Sequence, residues 1–290
     1  MPATRADDSY VGKYIGRHEY LVDAALVDRY ISGTRDDNPW YRGESPFGGP
    51  VAPALLLHSE QYAFRLGDWY LPNLYGNLHI RQEWDLFQPV MLGEAISTHG
   101  MIIDRYIRKD RDVVVLEFSI FNQAGVMAAR GRCHQSFLRE VDESDPVVDR
   151  ARAPRPRPGD DAEEPIELLE PLTRVADAEL CLAFSGPGRN YHNDAAEARK
   201  LGFPEVVVQG TMSTTFLSDV MTRRFGAGWF AGGRMSVNLV NVLWGGETVT
   251  ARAAIRQLLP EGARRRAICD VWTEKPDGTR TLAGTASALL

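Results

Sequence analysis

The sequence predicts an α+β fold built twice over, each half made of one long helix and about five antiparallel strands that wrap around it. Three observations predict it. Ser32-Gly33 and Gly93-Glu94 in the first half recur as Ser185-Gly186 and Gly246-Glu247, each 153 residues further on. A common offset held over about 60 residues marks an internal duplication. In each half, apolar residues at helical spacing give way to shorter strand-like runs. A Pro- and charge-rich stretch separates the two.

In chain order, the first half (residues 1–140) runs from VDRYISGTRDDNPWY through a Gly-Pro-rich loop into GGPVAPALLLHSEQYAFRLG. A helix is expected over Pro53 to Gly67, where Leu56, Ala63, Phe64 and Leu66 fall near one face. The segment RQEWDLFQPVMLGEAIST follows. Then VVVLEFSIFNQAGVMAARGRCHQSFL predicts a β-hairpin turning at Asn122-Gln123-Ala124-Gly125. Residues 141–165, VDESDPVVDRARAPRPRPGDDAEEP, predict an extended, exposed linker because they carry almost no apolar periodicity. The second half (residues 166–290) repeats the order. CLAFSGPGRNYHND leads to GFPEVVVQGTMSTTFLSDVMTRRFG, with a helix expected over Thr211 to Phe225 from Phe216, Leu217, Val220, Met221 and Phe225. MSVNLVNVLWGGETVTAR comes next, and a second hairpin turns at Lys275-Pro276-Asp277-Gly278.

Composition narrows the function classes. Of the 290 residues, 25% are charged and 44% apolar, the balance of a soluble globular protein. The net charge of −6, from 33 basic and 39 acidic residues, argues against a nucleic-acid partner, which requires a basic face. Val51 to Leu57 and Val113 to Leu116 are the longest apolar runs, far short of the roughly 20 residues of a membrane span. The polar start MPATRADDSY predicts no secretory leader. Cys133, Cys181 and Cys269 lie in runs that look like strands, without metal-ligand spacing, and are expected to be reduced core residues of a cytoplasmic protein with no metal. Arg264-Arg265-Arg266 and the run Arg105, Arg108, Lys109, Arg111 are expected at solvated hairpin ends. The alternative is contact with an anionic arm such as CoA phosphates.

The motifs resemble a family. Ser185-Gly186, His192-x-Asp194, Ala198, Gly202-Phe203, Val206-Val207-Val208 and Gln209-Gly210-x-Met212 match, in order, the pattern of the MaoC-like, hydratase-2 group of (R)-3-hydroxyacyl thioester dehydratases. Ser32-Gly33, Asp36-x-Asn38-Pro39 and Val51-Ala52-Pro53 resemble the N-terminal repeats of such chains. The resemblance implies a double hotdog fold and reversible addition of water across a trans-2-enoyl thioester. Removing a C2 proton needs a base and expelling the C3 hydroxyl needs an acid. The developing charge on the thioester oxygen needs a fixed donor. His192 is the candidate acid–base. Gly210 is the candidate donor, because an amide at a helix start is unpaired within the helix and lies at the positive end of its dipole.

The family's carboxylate does not stand in its usual place. Counting back five residues from His192 reaches Pro187, and the family's Asn-Pro pair falls on Arg189-Asn190. A subgroup of the family offers a second alignment, through Phe184-Ser185 and Asn190, that makes Asn190 the polar partner of His192. An amide can hold a water or hydroxyl but cannot take a proton near neutral pH. The first half has the complementary loss: Asp36 is kept, but Tyr41 replaces the histidine, and an unperturbed phenol of pKa about 10 is a poor base. That half is therefore expected to supply wall to the acyl pocket, with Asp36, Asn38 and Tyr41 as auxiliary candidates. Asn38 and Asp36 also suit an Asx turn before Pro39. Asp194, a further auxiliary candidate, suits an N-cap before Ala195, and Gln209 suits either the site or the helix start. Trp229, Phe230, Trp244, Trp69 and Tyr70 are candidates for core or acyl pocket.

Three functions stay open on this reading: a hydro-lyase of 3-hydroxyacyl or 2-enoyl thioesters; a hotdog isomerase or cyclase using His192 without the Asp; and a non-catalytic acyl-thioester-binding subunit. No cofactor is expected beyond the CoA or acyl-carrier phosphopantetheine of the substrate. The expected partners are the acyl thioester, carried on CoA or on an acyl carrier protein, with the chain a monomeric pseudo-dimer or a homodimer.

Overall fold

The computed structural model describes residues 9–56, 77–108, 111–138 and 164–290. Runs of β-branched and aromatic residues such as VVVLEFSIF favour extended backbone. The first half contributes strands β1 (Tyr14–Leu21), β2 (Leu78–Leu86), β3 (Ala95–Arg108), β4 (Arg111–Asn122) and β5 (Met127–Leu138). The second contributes β6 (Glu167–Leu168), β7 (Leu172–Val175), β8 (Arg234–Leu239), β9 (Thr248–Glu261), β10 (Arg264–Glu274) and β11 (Arg280–Leu289). They form one antiparallel sheet in the order β1-β3-β4-β5-β2-β8-β11-β10-β9-β6, with β7 also paired to β9. The order is a palindrome of the two halves. At its centre β2 meets β8 with Glu83 opposite Ser236, a pair itself 153 residues apart. β3 and β9 begin and end at the same offset.

Both expected hairpin turns form. Gly125 (φ 73°) and Gly278 (φ 82°) take the left-handed conformation that closes each turn. The Asn122 side chain accepts from Ala124 N and Val126 N, and Asp277 accepts from Thr279 N.

After its first strand or strands each half also carries a helix that periodicity did not single out: α1 (Ala24–Thr34), capped by Asp23, and α2 (Ala178–Ser185), capped by Asp177. Cys181 lies on α2, not on a strand, because the Asp177 cap starts a helix that the four-residue apolar run continues. All three cysteines are buried thiols. The duplicated Ser-Gly step has a packing role in the first copy. A Cβ on Gly33 would stand 2.7 Å from Phe184 Cα, so α1 crosses α2 at a distance only glycine permits. Gly33→Ala is accordingly expected to cost about 1–3 kcal/mol by overpacking against backbone. Chemical denaturation checks this, and an unchanged midpoint would show that the helices can part without loss.

The remaining helices are α3 (Ala195–Lys200), α4 (Gly210–Phe225) and α5 (Ala227–Phe230). α4 begins one residue before the expected Thr211. Almost every side chain on it is buried, and it packs on β7, β9, β10 and β11. Its polar residues are satisfied locally in part: the Thr214 and Thr215 hydroxyls donate to the carbonyls of Thr211 and Met212. The expected first-half helix lies outside the described residues beyond Leu56, as do Trp69, Tyr70 and residues 141–163 of the expected linker. Among the described residues no helix is long and apolar enough to cross a membrane.

Candidate active site

The loop between α2 and α3 is built around Asn190. Its Oδ1 accepts from His192 N at 2.9 Å, and its Nδ2 donates to the carbonyls of Ser185 (2.9 Å) and Gly188 (3.1 Å). The amide is thus committed to loop backbone, and its effect is to aim His192. Asp194 caps α3, accepting from Ala196 N and Glu197 N at 2.8 and 3.1 Å. His192 Nδ1 lies 2.7 Å from the Val207 carbonyl oxygen. A carbonyl can only accept, so Nδ1 carries the hydrogen and, in the neutral ring, Nε2 holds the lone pair of a base. The Tyr191 ring lies over the imidazole with centroids 3.8 Å apart.

Val207 donates to the Tyr191 carbonyl at 3.1 Å, which brings the chain entering α4 alongside the histidine loop. Gln209 is the N-cap residue of α4 but makes no side-chain cap; its Oε1 instead accepts from Ser185 Oγ at 2.7 Å. Gly210, the first residue of the helix, therefore presents its amide at the positive end of a four-turn dipole. A Cβ there would meet Leu239 Cδ2 at 2.2 Å. Any Cβ at this point would require the Leu239 side chain to move.

His192, Gln209 and Gly210 line one cavity of about 260 Å³. Its rim includes Val240 and Val242, which are 49% and 41% exposed, and its floor includes Ser213, Gln135 and Leu282, which are 3%, 1% and 2% exposed. The first half supplies part of the wall through Asn77, His79, Ile80 and Gln135. Sequence reasoning expected a wall from this half but did not name these residues. One signal was present: Gln135 alternates with Cys133 and Phe137 on a face of β5 whose other members are core.

Among the described residues the corresponding place in the first half holds only a small cavity. Val51 donates to the Trp40 carbonyl at 2.9 Å, as Val207 does to Tyr191, so Tyr41 stands where His192 stands. Ala129 and Leu86 match Leu282 and Leu239 at the 153-residue offset, yet the cavity they line measures only about 10 Å³. Phe230 also lines it, with its ring centroid 5.9 Å from those of both Trp40 and Phe47. Tyr41 is buried and donates to Asp36 Oδ2 at 2.6 Å. Asn38 accepts from Trp40 N at 3.0 Å and caps the 3-10 turn Pro39–Tyr41. Trp229 is fully buried and donates to Ser218, while Trp244 packs near Phe203 with centroids 6.4 Å apart. Of the arginine clusters, Arg266 is buried against Glu261 and Arg105 pairs with Asp112, and neither lines the cavity. Among the described residues no group of three or more His, Cys, Asp or Glu side chains is placed to hold a metal.

Asp36 belongs to an ionic cluster between the halves. Asp219 on α4 pairs with Arg223 at 2.7 Å and with Arg174 at 3.4 Å, and Arg174 also donates to the carbonyls of Thr34 and Arg35 at the end of α1. Burial, and then the charge of Asp219, push the Asp36 carboxyl up to about 6, against the relief given by Tyr41, Asn38 N and Arg223. An unfolded Asp titrates near 3.9. The folded chain therefore holds an extra proton between about pH 4 and 6, and the stability this gives is lost as pH rises through about 6. The loss is on the order of 3 kcal/mol. Asp36→Asn is expected to be more stable than the parent at pH 8 and equal to it near pH 4. Denaturant titrations at the two pH values check this, and a variant less stable at pH 8 would contradict it.

With its palindromic sheet and buried α4, the chain has the double hotdog fold. By structure it is similar to a MaoC-like dehydratase at 15% identity (97% of this chain, 98% of the other, TM-score 0.72). A MaoC-like dehydratase from Phytophthora capsici aligns at 14% identity (99% and 98%, TM-score 0.72). A Mycobacterium tuberculosis protein described as having a double hotdog fold aligns at 13% identity (98% and 97%, TM-score 0.65). At these identities the likeness is one of fold. No protein-family model and no curated protein matches the sequence.

Proposed function

We propose that the protein is a hydro-lyase acting on 3-hydroxyacyl or 2-enoyl thioesters of CoA or an acyl carrier protein. The observation that carries this reading is the single cavity shared by the His192 imidazole and the Gly210 amide. In the dehydration direction Nε2 takes a C2 proton and the electron pair moves onto the thioester carbonyl, whose oxygen meets the Gly210 N–H. The imidazolium then gives that proton to the C3 hydroxyl. Water leaves as the C2–C3 double bond forms, and the ring returns to its starting state. Because Pro187 stands at the family's acid position and Asn190 spends its amide on the loop, His192 carries both proton transfers and Asn190 is a positioning residue. The structurally similar proteins named as MaoC-like dehydratases add support. The pantetheine arm belongs to the substrate, and no further cofactor enters the reaction.

The test is to incubate the protein with crotonyl-CoA, longer enoyl-CoAs and a carrier-linked enoyl thioester while following the conjugated-thioester absorbance. Hydration should remove that absorbance in at least one of the three. A second reading is favoured by Pro187: one base working without a separate acid suits an isomerase or cyclase, which moves a proton without losing water. Product analysis separates the two, since migration conserves mass and hydration adds a water. Acyl-CoA binding without turnover would instead mark a non-catalytic thioester-binding subunit.

A further inference from the structure

The floor of the cavity is polar in a way that a plain hydrocarbon chain does not match. Gln135 is 1% exposed and lines the cavity, and its only hydrogen bond among the described residues runs from Nε2 to the Cys133 thiol at 3.0 Å. Sulfur is a weak acceptor. Whichever way round the amide lies, one polar atom of Gln135 has no protein partner. Ser213, one turn into α4 beyond Gly210, is 3% exposed, lines the same cavity, and its hydroxyl makes no hydrogen bond among the described residues. Both side chains keep hydrogen-bonding capacity for whatever fills the cavity. One lies on β5 of the first half and the other on α4 of the second, so two distant parts of the chain place unspent hydrogen-bonding capacity in the wall of one cavity. The exposed rim includes Val240, Asn241 and Val242.

From this juxtaposition we infer that the site takes an acyl chain bearing a hydroxyl group away from the thioester, which Gln135 and Ser213 recognise. A hydroxyl suits the pair because it both donates and accepts. Gln135 and Ser213 are then specificity-determining residues. The inference rests on the thioester reading for the orientation of the chain, with the reacting end at His192 and Gly210 and the distal end at the floor.

Binding tests it independently of turnover. Saturated acyl-CoAs of increasing length, which cannot react, would each be compared with their ω-hydroxy counterparts by isothermal titration calorimetry. At the length that reaches the floor, the hydroxylated ligand should bind about tenfold more tightly. Gln135→Met together with Ser213→Ala should abolish that preference while leaving affinity for the plain chain unchanged or raised. Equal binding at every length, or a preference that survives both substitutions, overturns the inference. A preference for the hydroxylated ligand in a protein that hydrates no enoyl thioester would uphold the inference and reject the hydro-lyase. Turnover with no such preference would do the reverse.

Discussion

Replacing His192 with alanine is expected to lower kcat for enoyl-thioester hydration by about 10²–10⁴-fold, the range of a general acid–base group, with a small change in KM. The reason is geometric. The Val207 carbonyl 2.7 Å from Nδ1 fixes the proton there and leaves Nε2 as the base. Because the loop is organised by Asn190, whose contacts are to backbone, His192→Ala should leave the fold intact. His192→Gln is the sharper control, since its amide can keep a hydrogen bond to Val207 yet cannot move a proton. Both variants should be equally slow and should melt near the parent temperature. Full turnover by either removes the imidazole from the chemistry.

The second large effect concerns Gly210, and it has two separable parts. Gly210→Ala drives a Cβ to 2.2 Å from Leu239 Cδ2, pushing Leu239 toward the cavity it lines. Adding Leu239→Ala should relieve that clash and restore much of the rate. Proline is tolerated at the first position of a helix, where the missing N–H has no partner within the helix. The preceding residue, Gln209, already has the extended backbone (φ −62°, ψ 124°) that proline demands of its neighbour. Gly210→Pro with Leu239→Ala should therefore fold like the alanine pair while lacking the amide hydrogen. Its kcat is expected to fall about 10²–10³-fold below that of the alanine pair, the cost of losing an oxyanion donor. Equal rates for the two double variants would assign Gly210 to packing alone.

Much of the fold was legible because duplication and turn chemistry are local signals. The 153-residue offset read from two dipeptides is the one that pairs Glu83 with Ser236 at the sheet centre. The Asn122–Gly125 and Lys275–Gly278 turns needed only their Gly and Asx residues. The buried length of α4 followed from five apolar positions. α1 and α2 escaped notice because their stability comes from Asp caps and from a close mutual crossing at Gly33, which no periodicity reports. Within the site, the cavity brings His192 and Gly210 together, residues that the sequence linked only through a motif. Asn190 turns inward to its own loop, a choice that three backbone carbonyl and amide positions decide and that the one-dimensional chain does not reveal. Gln135 and Ser213 lie 78 residues apart and meet the cavity from opposite halves, so the sequence offered only a polar residue in an apolar register.

The most direct test of the central claim is a structure of the protein with a bound, unreactive 3-hydroxyacyl thioester analogue. The account predicts the thioester oxygen about 3 Å from the Gly210 nitrogen and C2 facing His192 Nε2, with the acyl arm running down toward Gln135. A thioester oxygen turned away from the start of α4, or an acyl arm bound outside this cavity, would contradict it.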